Sequence, residues 1–395
     1  KMTTFYTQIT ENTAEQNKAI KELDMTPLNY LQDLIQASKV HQVPIAFDYE
    51  KIQLCDSSST TFAKIGEQLL INKQCAILVL AGGAATRLGA EVPKGAFPLN
   101  LDASNTNLYQ IILNKCATMN SPRVIFMLSS ATVDTIQFLK THQNFGYKGP
   151  IEFCFQPEYP VVAATGQLLL DQAGQILKSP NGNGGFLKAL EPLELREQFL
   201  HVVGVDNPFV RPCDPEMLGF ALQKQLDVVN RVLRPLAGEK VGIAGQKKIS
   251  AMQQAPLCSQ DIQKYFGEGM VPTVFEYSEI DLTKINPVEQ YANIVNHLFS
   301  VKYLKELMQI QVNTQKYITP YHLAFKKVPY FDLQQNKMIN PEQPNAYKME
   351  HFIFDYFHFC PLDKFGLFVC PREEFVPIKE MTDIEKVRDM WVKQK

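Results

Sequence analysis

The chain has 395 residues, with 39 Lys plus Arg against 41 Asp plus Glu, for a formal charge of −2. That balance argues against a protein that coats nucleic acid or an anionic membrane surface. Hydrophobic residues make up 45% and charged residues 20%, which is globular rather than disordered composition. The length suits two or three domains, or one large α/β domain with a smaller extension. None of the eight cysteines forms a CxxC pair and several lie in apolar runs, as expected of buried, reduced thiols in the cytosol. The seven histidines show no HxxxH or HExxH spacing, so no dedicated zinc site is expected. No apolar stretch approaches the roughly 20 residues of a membrane span, and the N-terminus has no basic start followed by an apolar core.

Residues from Thr4 to Val40 read as helices, with Leu31, Leu34 and Ile35 on one face after a break at Thr26-Pro27. The stretch Phe47 to Ser59 reads as irregular, and Thr61 to Leu70 as a short helix. Cys75-Ala-Ile-Leu-Val-Leu80 is a continuous apolar run, the pattern of a strand covered on both faces. Strands and helices then alternate. Helices are predicted over Leu108–Met119, over Ala131–His142 behind a Ser129 or Ser130 cap, and from the Asp214-Pro215 cap to Leu226. Strands are predicted over Arg123–Leu128, Ile151–Gln156, Leu200–Val205, Val228–Leu233, Val241–Ala244 and Val274–Tyr277. Beyond Ile285 helices are expected to dominate, over Tyr291–Phe299, Lys302–Val312 and Met349–Phe359. A strand at Gly366–Cys370 and a terminal helix at Asp383–Val392 complete the pattern. The alternation predicts an α/β fold with a mostly parallel central sheet.

The segment Leu80-Ala-Gly-Gly-Ala-Ala-Thr-Arg-Leu-Gly89, followed by Pro93-Lys94-Gly95, carries the strongest chemical signal. It begins at the carboxyl end of the first buried strand, where open α/β sheets bind ligands. Gly82 and Gly83 let backbone N–H groups approach a ligand closely. Arg87 offers a planar fork for phosphate oxygens and Lys94 a point charge. Five residues separate Gly83 from Gly89 and Ala90 follows, so this is not a Walker A loop, and GxGxxG is absent as well. Asp206 ends an apolar strand, where a carboxylate suits either Mg²⁺ or a cap on the next turn. Gln156 also suits an ordinary strand-end amide, and Lys379 a surface lysine. Met349, Phe352, Ile353 and Tyr356 follow helical spacing and suit a core stripe, which Phe354 leaves.

The loop resembles the GGxGTRL…PKG signature of sugar-nucleotide pyrophosphorylases, and more narrowly the eukaryotic UDP-N-acetylhexosamine pyrophosphorylase family. The likeness runs from Leu80 to Lys379. It includes Phe155-Gln156, Asn181-Gly-Asn-Gly-Gly185, His201-Val-Val-Gly-Val-Asp-Asn207, Phe275-Glu-Tyr-Ser-Glu-Ile280, Asn293-Ile-Val-Asn-His297, Lys348-Met-Glu-His-Phe-Ile-Phe354 and Pro377-Ile-Lys379. Departures from the family pattern are Ala85, Asn181 and Ala292, with Pro157 after Gln156.

The resemblance implies a Rossmann-like nucleotidyltransferase domain over 71–315. A helical segment precedes it over 1–70, and a short extension over 316–395 completes the sugar-phosphate site. It implies transfer of uridylyl from UTP to N-acetylglucosamine 1-phosphate with Mg²⁺ (or Mn²⁺), in a cytoplasmic monomer without nucleic-acid or membrane partners. By the same resemblance, Arg87, Lys94 and Lys379 would act on the phosphates and Asp206 would hold the metal. Gly82, Gly83, Gln156 and Gly182 would bind the nucleotide. Asn183, Glu276, Asn293, Phe352 and Phe354 would bind the sugar. Another sugar 1-phosphate (N-acetylgalactosamine or glucose), or a UDP-sugar-binding regulator without turnover, also suits these residues.

Overall fold

The computed structural model describes residues 31–37, 44–101, 106–248, 269–281, 283, 285–286, 288–314 and 318–394. The helices expected over 4–40 lie outside these residues, except for α1, Leu31–Ala37. Its Leu31 and Leu34 pack with Tyr159, Tyr321 and Met349. The strands are β1 (Gln53–Asp56), β2 (Cys75–Leu80), β3 (Arg123–Leu128), β4 (Ile151–Phe155), β5 (Glu158–Pro160), β6 (Val162–Ala163), β7 (Lys178–Pro180), β8 (Phe199–Gly204) and β9 (Val228–Leu233). They continue with β10 (Ile243–Lys248), β11 (Met270–Phe275), β12 (Tyr291–Ser300), β13 (His322–Lys326), β14 (Tyr330–Asp332), β15 (Lys337–Ile339), β16 (Ala346–Glu350) and β17 (Phe365–Val369).

The central sheet runs in the order β1-β17-β9-β12-β8-β2-β3-β4, with β10 and β11 branching from β12. Pairs β1–β17, β17–β9, β8–β2, β2–β3 and β3–β4 are parallel. Strand β12 is antiparallel to both β9 and β8. The fold is therefore α/β with a mostly parallel sheet. The sheet draws β1 from the stretch before residue 71 and β17 from the stretch after 315. Smaller sheets β13-β16-β6, β14-β15 and β5-β7 flank it.

Strand β2 explains the layering. Ile77 and Val79 enter one core; Ala76 and Leu78 enter the other. All four are shielded from water, at about 1.5–3 kcal/mol for each large aliphatic side chain. The first core is covered by α2 (Ala63–Ile71), α3 (Leu108–Thr118), α4 (Asp134–Thr141), α6 (Pro215–Gln223) and α8 (Met381–Gln394). The second is covered by α5 (Phe186–Leu190), α7 (Val301–Thr314) and a 3₁₀ segment, Ile353–Phe359.

Three sequence expectations are corrected. Tyr291–Phe299 is not a helix but part of β12, buried on both faces in the middle of the sheet. A bulge between Asn293 and His297, with Val295 at φ 52°, resets its side-chain alternation and hides the period of two. Met349–Phe359 is likewise not an α-helix. Strand β16 ends at Glu350, and Ile353–Phe359 winds as a 3₁₀ segment in which every residue is buried. The helical stripe through Phe352 and Tyr356 is thus a coincidence of spacing. The supposedly irregular Phe47–Ser59 contains β1, whose partner β17 lies more than 300 positions away. Smaller shifts are that β10 starts at Ile243 and β11 ends at Phe275.

Candidate active site

The parallel register brings the expected phosphate and nucleotide residues to one edge. Leu80 pairs with Met127 on β3 and with Gly204 on β8, and Leu128 pairs with Phe155 on β4. Residues just beyond these pairs (Gly82, Ser129, Gln156 and Asp206) therefore emerge together at the carboxyl edge. A cavity of about 310 Å³ opens there, lined by Leu80, Gly82, Gly83, Gln156, Gly182 and Asn183, with Lys348 and Glu350 on its far wall.

Backbone closeness explains the glycines. A Cβ at position 82 would lie 2.6 Å from Gln156 Oε1. Gln156 in turn donates through Nε2 to the Gly182 carbonyl. Gly182 has φ +83°, and a Cβ there would lie 2.4 Å from the His351 carbonyl oxygen. The loop after Gly82 folds back on itself, with Lys94 N donating to Gly83 O (3.0 Å) and Ala85 N to Val92 O (2.8 Å). Ala85 has φ −85° and is buried, a conformation open to any L-residue, so this departure from glycine leaves the turn intact. Arg87 stands exposed on the short turn Thr86–Leu88. Lys94 Nζ lies 3.4 Å from Asp206 Oδ2, a pair open to solvent on the carboxylate side.

The turn at Asp206 is stitched to the segment that carries Lys379. Ile378 N donates to Asp206 O (2.9 Å), and Asn207 Nδ2 donates to Glu374 O (2.7 Å). Asn207 Oδ1 accepts from Val376 N (3.2 Å). Beneath it, buried Arg231 bonds Asp214 (2.8 Å) and Glu374. Lys379 itself is exposed and lines a separate cavity of about 420 Å³ with Arg372 and Asp383.

The expected sugar residues gather beside this edge. Asn293 N donates to Gly242 O (2.8 Å), and a Cβ on Gly242 would lie 3.1 Å from Glu276 Oε1. Asn293 and Glu276 thus flank one backbone position. Asn293 Oδ1 is buried with no hydrogen-bond partner among the described residues. Burial, with Glu279 and Asp355 nearby, lifts the Glu276 carboxyl to about 7, although His322 and Lys379 oppose the rise. Asn183 Oδ1 accepts from Ile353 N (2.9 Å), which leaves its Nδ2 for other partners. Phe352 is half-buried and Phe354 buried, with ring centroids 5.1 Å apart.

Among the described residues, no group of three His, Cys, Asp or Glu side chains converges on a metal-sized space. Asp206 offers carboxylate oxygens beside Lys94 at this edge. That donor set fits an ion such as Mg²⁺, whose remaining ligands are phosphate oxygens and water.

The family model described as UTP–glucose-1-phosphate uridylyltransferase matches residues 5–253. A Schizosaccharomyces pombe protein named "Probable UDP-N-acetylglucosamine pyrophosphorylase" is 30% identical over 362 residues, 83% of this chain and 71% of that one. The chain belongs to the UDP-N-acetylhexosamine pyrophosphorylase family. The Saccharomyces cerevisiae UDP-N-acetylglucosamine pyrophosphorylase is 29% identical over 357 residues, 84% of this chain and 70% of that one. In fold, the chain resembles the solved uridine diphosphate N-acetylglucosamine pyrophosphorylase of Trypanosoma brucei. The TM-score is 0.74 over 97% of this chain and 81% of that chain, at 19% identity.

Several residues at the site have no site role in the sequence reading. Ser129 donates to the Gly82 carbonyl (2.7 Å); its position just past β3 was the available signal. Lys348 and Glu350 line the same cavity from the extension beyond residue 315. Asn207 and Arg231 carry no local pattern that separates them from ordinary polar residues.

Proposed function

We propose that the chain is a uridylyltransferase. It joins UTP to N-acetylglucosamine 1-phosphate, giving UDP-N-acetylglucosamine and pyrophosphate. One observation carries this reading: Gly82, Gly83, Gln156, Gly182 and Asn183, scattered in sequence, line one cavity at the carboxyl edge beside Lys94 and Asp206. Family membership supports it.

A sugar phosphate oxygen is already a competent nucleophile, so no activated serine, cysteine or histidine is required. The protein's work is positioning and charge neutralisation around an in-line displacement at the α-phosphorus. Glycine backbone at 82, 83 and 182 admits the uridine, and the Gln156 amide can read the uracil edge. Arg87 and Lys94 hold the triphosphate and the departing pyrophosphate. Lys379, brought to the Asp206 turn by the stitched segment 374–378, faces the reacting phosphates from the other side. Asp206 would hold Mg²⁺ (or Mn²⁺), which when bound supplies further neutralisation of phosphate charge. The unpartnered Asn293 Oδ1, Glu276 and Asn183 Nδ2 take the sugar hydroxyls and the acetamido N–H, while Phe352 and Phe354 wall the acetyl methyl. The protein acts as a cytoplasmic monomer on small molecules, without nucleic-acid or membrane partners. Among the described residues, no helix is long and apolar enough to cross a bilayer.

The deciding experiment measures pyrophosphate release from UTP with Mg²⁺ and three sugar 1-phosphates. Release is expected to be fastest with N-acetylglucosamine 1-phosphate. Equal kcat/KM for glucose 1-phosphate would remove the acetyl-reading pocket. Tight UDP-sugar binding with no release would make the chain a regulator. Asp206→Ala is expected to abolish the Mg²⁺ response; a normal metal titration in that variant would reassign the ligand.

A further inference from the structure

His322 opens β13 and sits between two carboxylates from different segments. Its Nδ1 lies 3.0 Å from Glu279 Oε1 and its Nε2 lies 2.9 Å from Asp355 Oδ2. Both carboxylates accept, so both ring nitrogens must donate, which only the imidazolium can do. Burial alone would depress its basicity, but Asp355 and Glu279 outweigh burial and raise its pKa to about 10. A partly buried ionic bridge of this kind is a poor source of net stability, because desolvation offsets much of the attraction. Its value lies in what it holds in place.

Each arm ends on a residue of the sugar side. Glu279 N donates to Glu276 O (2.9 Å), so fixing Glu279 fixes the turn that aims Glu276. Asp355 Oδ2 also accepts from Phe352 N (3.1 Å), which sets the entry to the 3₁₀ segment. The His322 ring itself packs on the Phe352 ring, with centroids 4.2 Å apart at 33°. Phe352 in turn lies against Phe354. The cluster contains no residue of the Gly82–Lys94 loop. Through two carboxylates and one ring contact, a single side chain thus locates Glu276, Phe352 and Phe354.

We infer that His322, bridging Glu279 and Asp355, is a positioning residue that sets this protein's discrimination for the N-acetylated sugar without touching the nucleotide. The inference rests on the uridylyltransferase reading. His322 acts through Glu276 and Phe352 and need not meet the substrate itself.

The test uses the full chain and isothermal titration with UDP, UDP-glucose and UDP-N-acetylglucosamine. His322→Phe keeps a ring against Phe352 and removes both donors. It is expected to weaken UDP-N-acetylglucosamine roughly tenfold or more, the scale of losing charged hydrogen bonds. UDP affinity should stay within about twofold, and the preference over UDP-glucose should fall with the loss. In turnover, KM for the sugar phosphate rises while KM for UTP does not. Glu279→Ala should lower the ratio in the same direction, and Glu279→Gln, which retains an acceptor, should recover most of it. Equal weakening of UDP and UDP-N-acetylglucosamine by these variants would mark the bridge as merely structural and overturn the inference. An unchanged ratio would overturn it too. If His322→Phe does not fold, the Glu279 pair decides by the same ratio. Wild-type protein that binds UDP-N-acetylglucosamine no better than UDP and releases no pyrophosphate would instead overturn the functional reading, and the inference with it.

Discussion

The two halves of the site are built in opposite ways. On the proposed phosphate side, one contiguous stretch from Gly82 to Gly95 carries the glycines with Arg87 and Lys94, and its shape comes from backbone conformation and absent side chains. A Cβ at Gly95, for example, would lie 2.1 Å from the Tyr109 ring. On the proposed sugar side, Glu276, Asn293, Phe352 and Phe354 come from three segments, held by polar side chains such as the partly buried His322 and the buried Asp355. UTP presents the same charges whichever sugar 1-phosphate it meets, so a rigid local loop would suffice. Distinguishing one sugar from another needs polar and apolar groups placed independently, which a single loop cannot offer.

The largest effect expected is on the nucleotide side. Arg87→Ala should lower kcat by roughly 10²–10³, the scale of losing one preorganised donor to developing charge. Because Arg87 is exposed, the melting temperature should hardly change. An unchanged kcat would take Arg87 out of the reaction and weaken the contrast at its root. Next comes the strut between the halves. Gly182→Ala places a Cβ against the His351 carbonyl at positive φ and should cost about 1–3 kcal/mol of stability in urea denaturation. Both UTP and sugar-phosphate KM values should rise in this variant, whereas an effect on one alone would show that the halves are mechanically separate. Asn293→Ala tests the sugar side by itself. It deletes a buried acceptor that lacks a partner, so stability should stay within about 0.5 kcal/mol of wild type or increase. Meanwhile kcat/KM should fall for the acetylated sugar and leave UTP binding intact.

The last effect is a pH slope. The Glu276 carboxyl titrates near 7 in the native chain, against an ordinary value of 4.5. Between those values the native state keeps a proton that the unfolded chain has released, so stability falls as pH rises through that window. Glu276→Gln removes the slope. Relative to wild type, the variant should gain stability between about pH 4.5 and 7, measured by denaturant titration across that range. Parallel curves for the two proteins would show that Glu276 is solvated, and would open the sugar side to water.

The same contrast governs what could be read in the chain. Cys75–Leu80 reads as a doubly covered strand, which β2 is, and the glycines, Arg87 and Lys94 that follow it read as a candidate phosphate loop, because turn geometry and charge are local properties. Strand β12 was misread as a helix. Its bulge at Val295 interrupts the alternation, and only the neighbours β8 and β9 make it a strand. Phe354 was singled out because it leaves a helical stripe, yet that stretch is 3₁₀ and every residue of it is buried. His322 and Arg231 carry no sequence signal, Ser129 reads only as a helix cap and Asn207 only as part of a motif, since a lone polar residue has no periodicity and its partners lie up to 169 positions away.

By itself, then, the amino-acid order determined the α/β class, the location of the first core strand, and the glycine-rich loop proposed to grip phosphate. Each depends on a contiguous pattern of side-chain size, charge or backbone freedom. Tertiary structure alone decided that β1 and β17 flank the same sheet as β2. It alone aligned Gly82, Gln156 and Asp206 at one edge and joined Glu279, His322 and Asp355 beside them. The physical reason is that strand register and buried hydrogen bonds are settled by what packs opposite, and chain order does not specify which distant segment that will be.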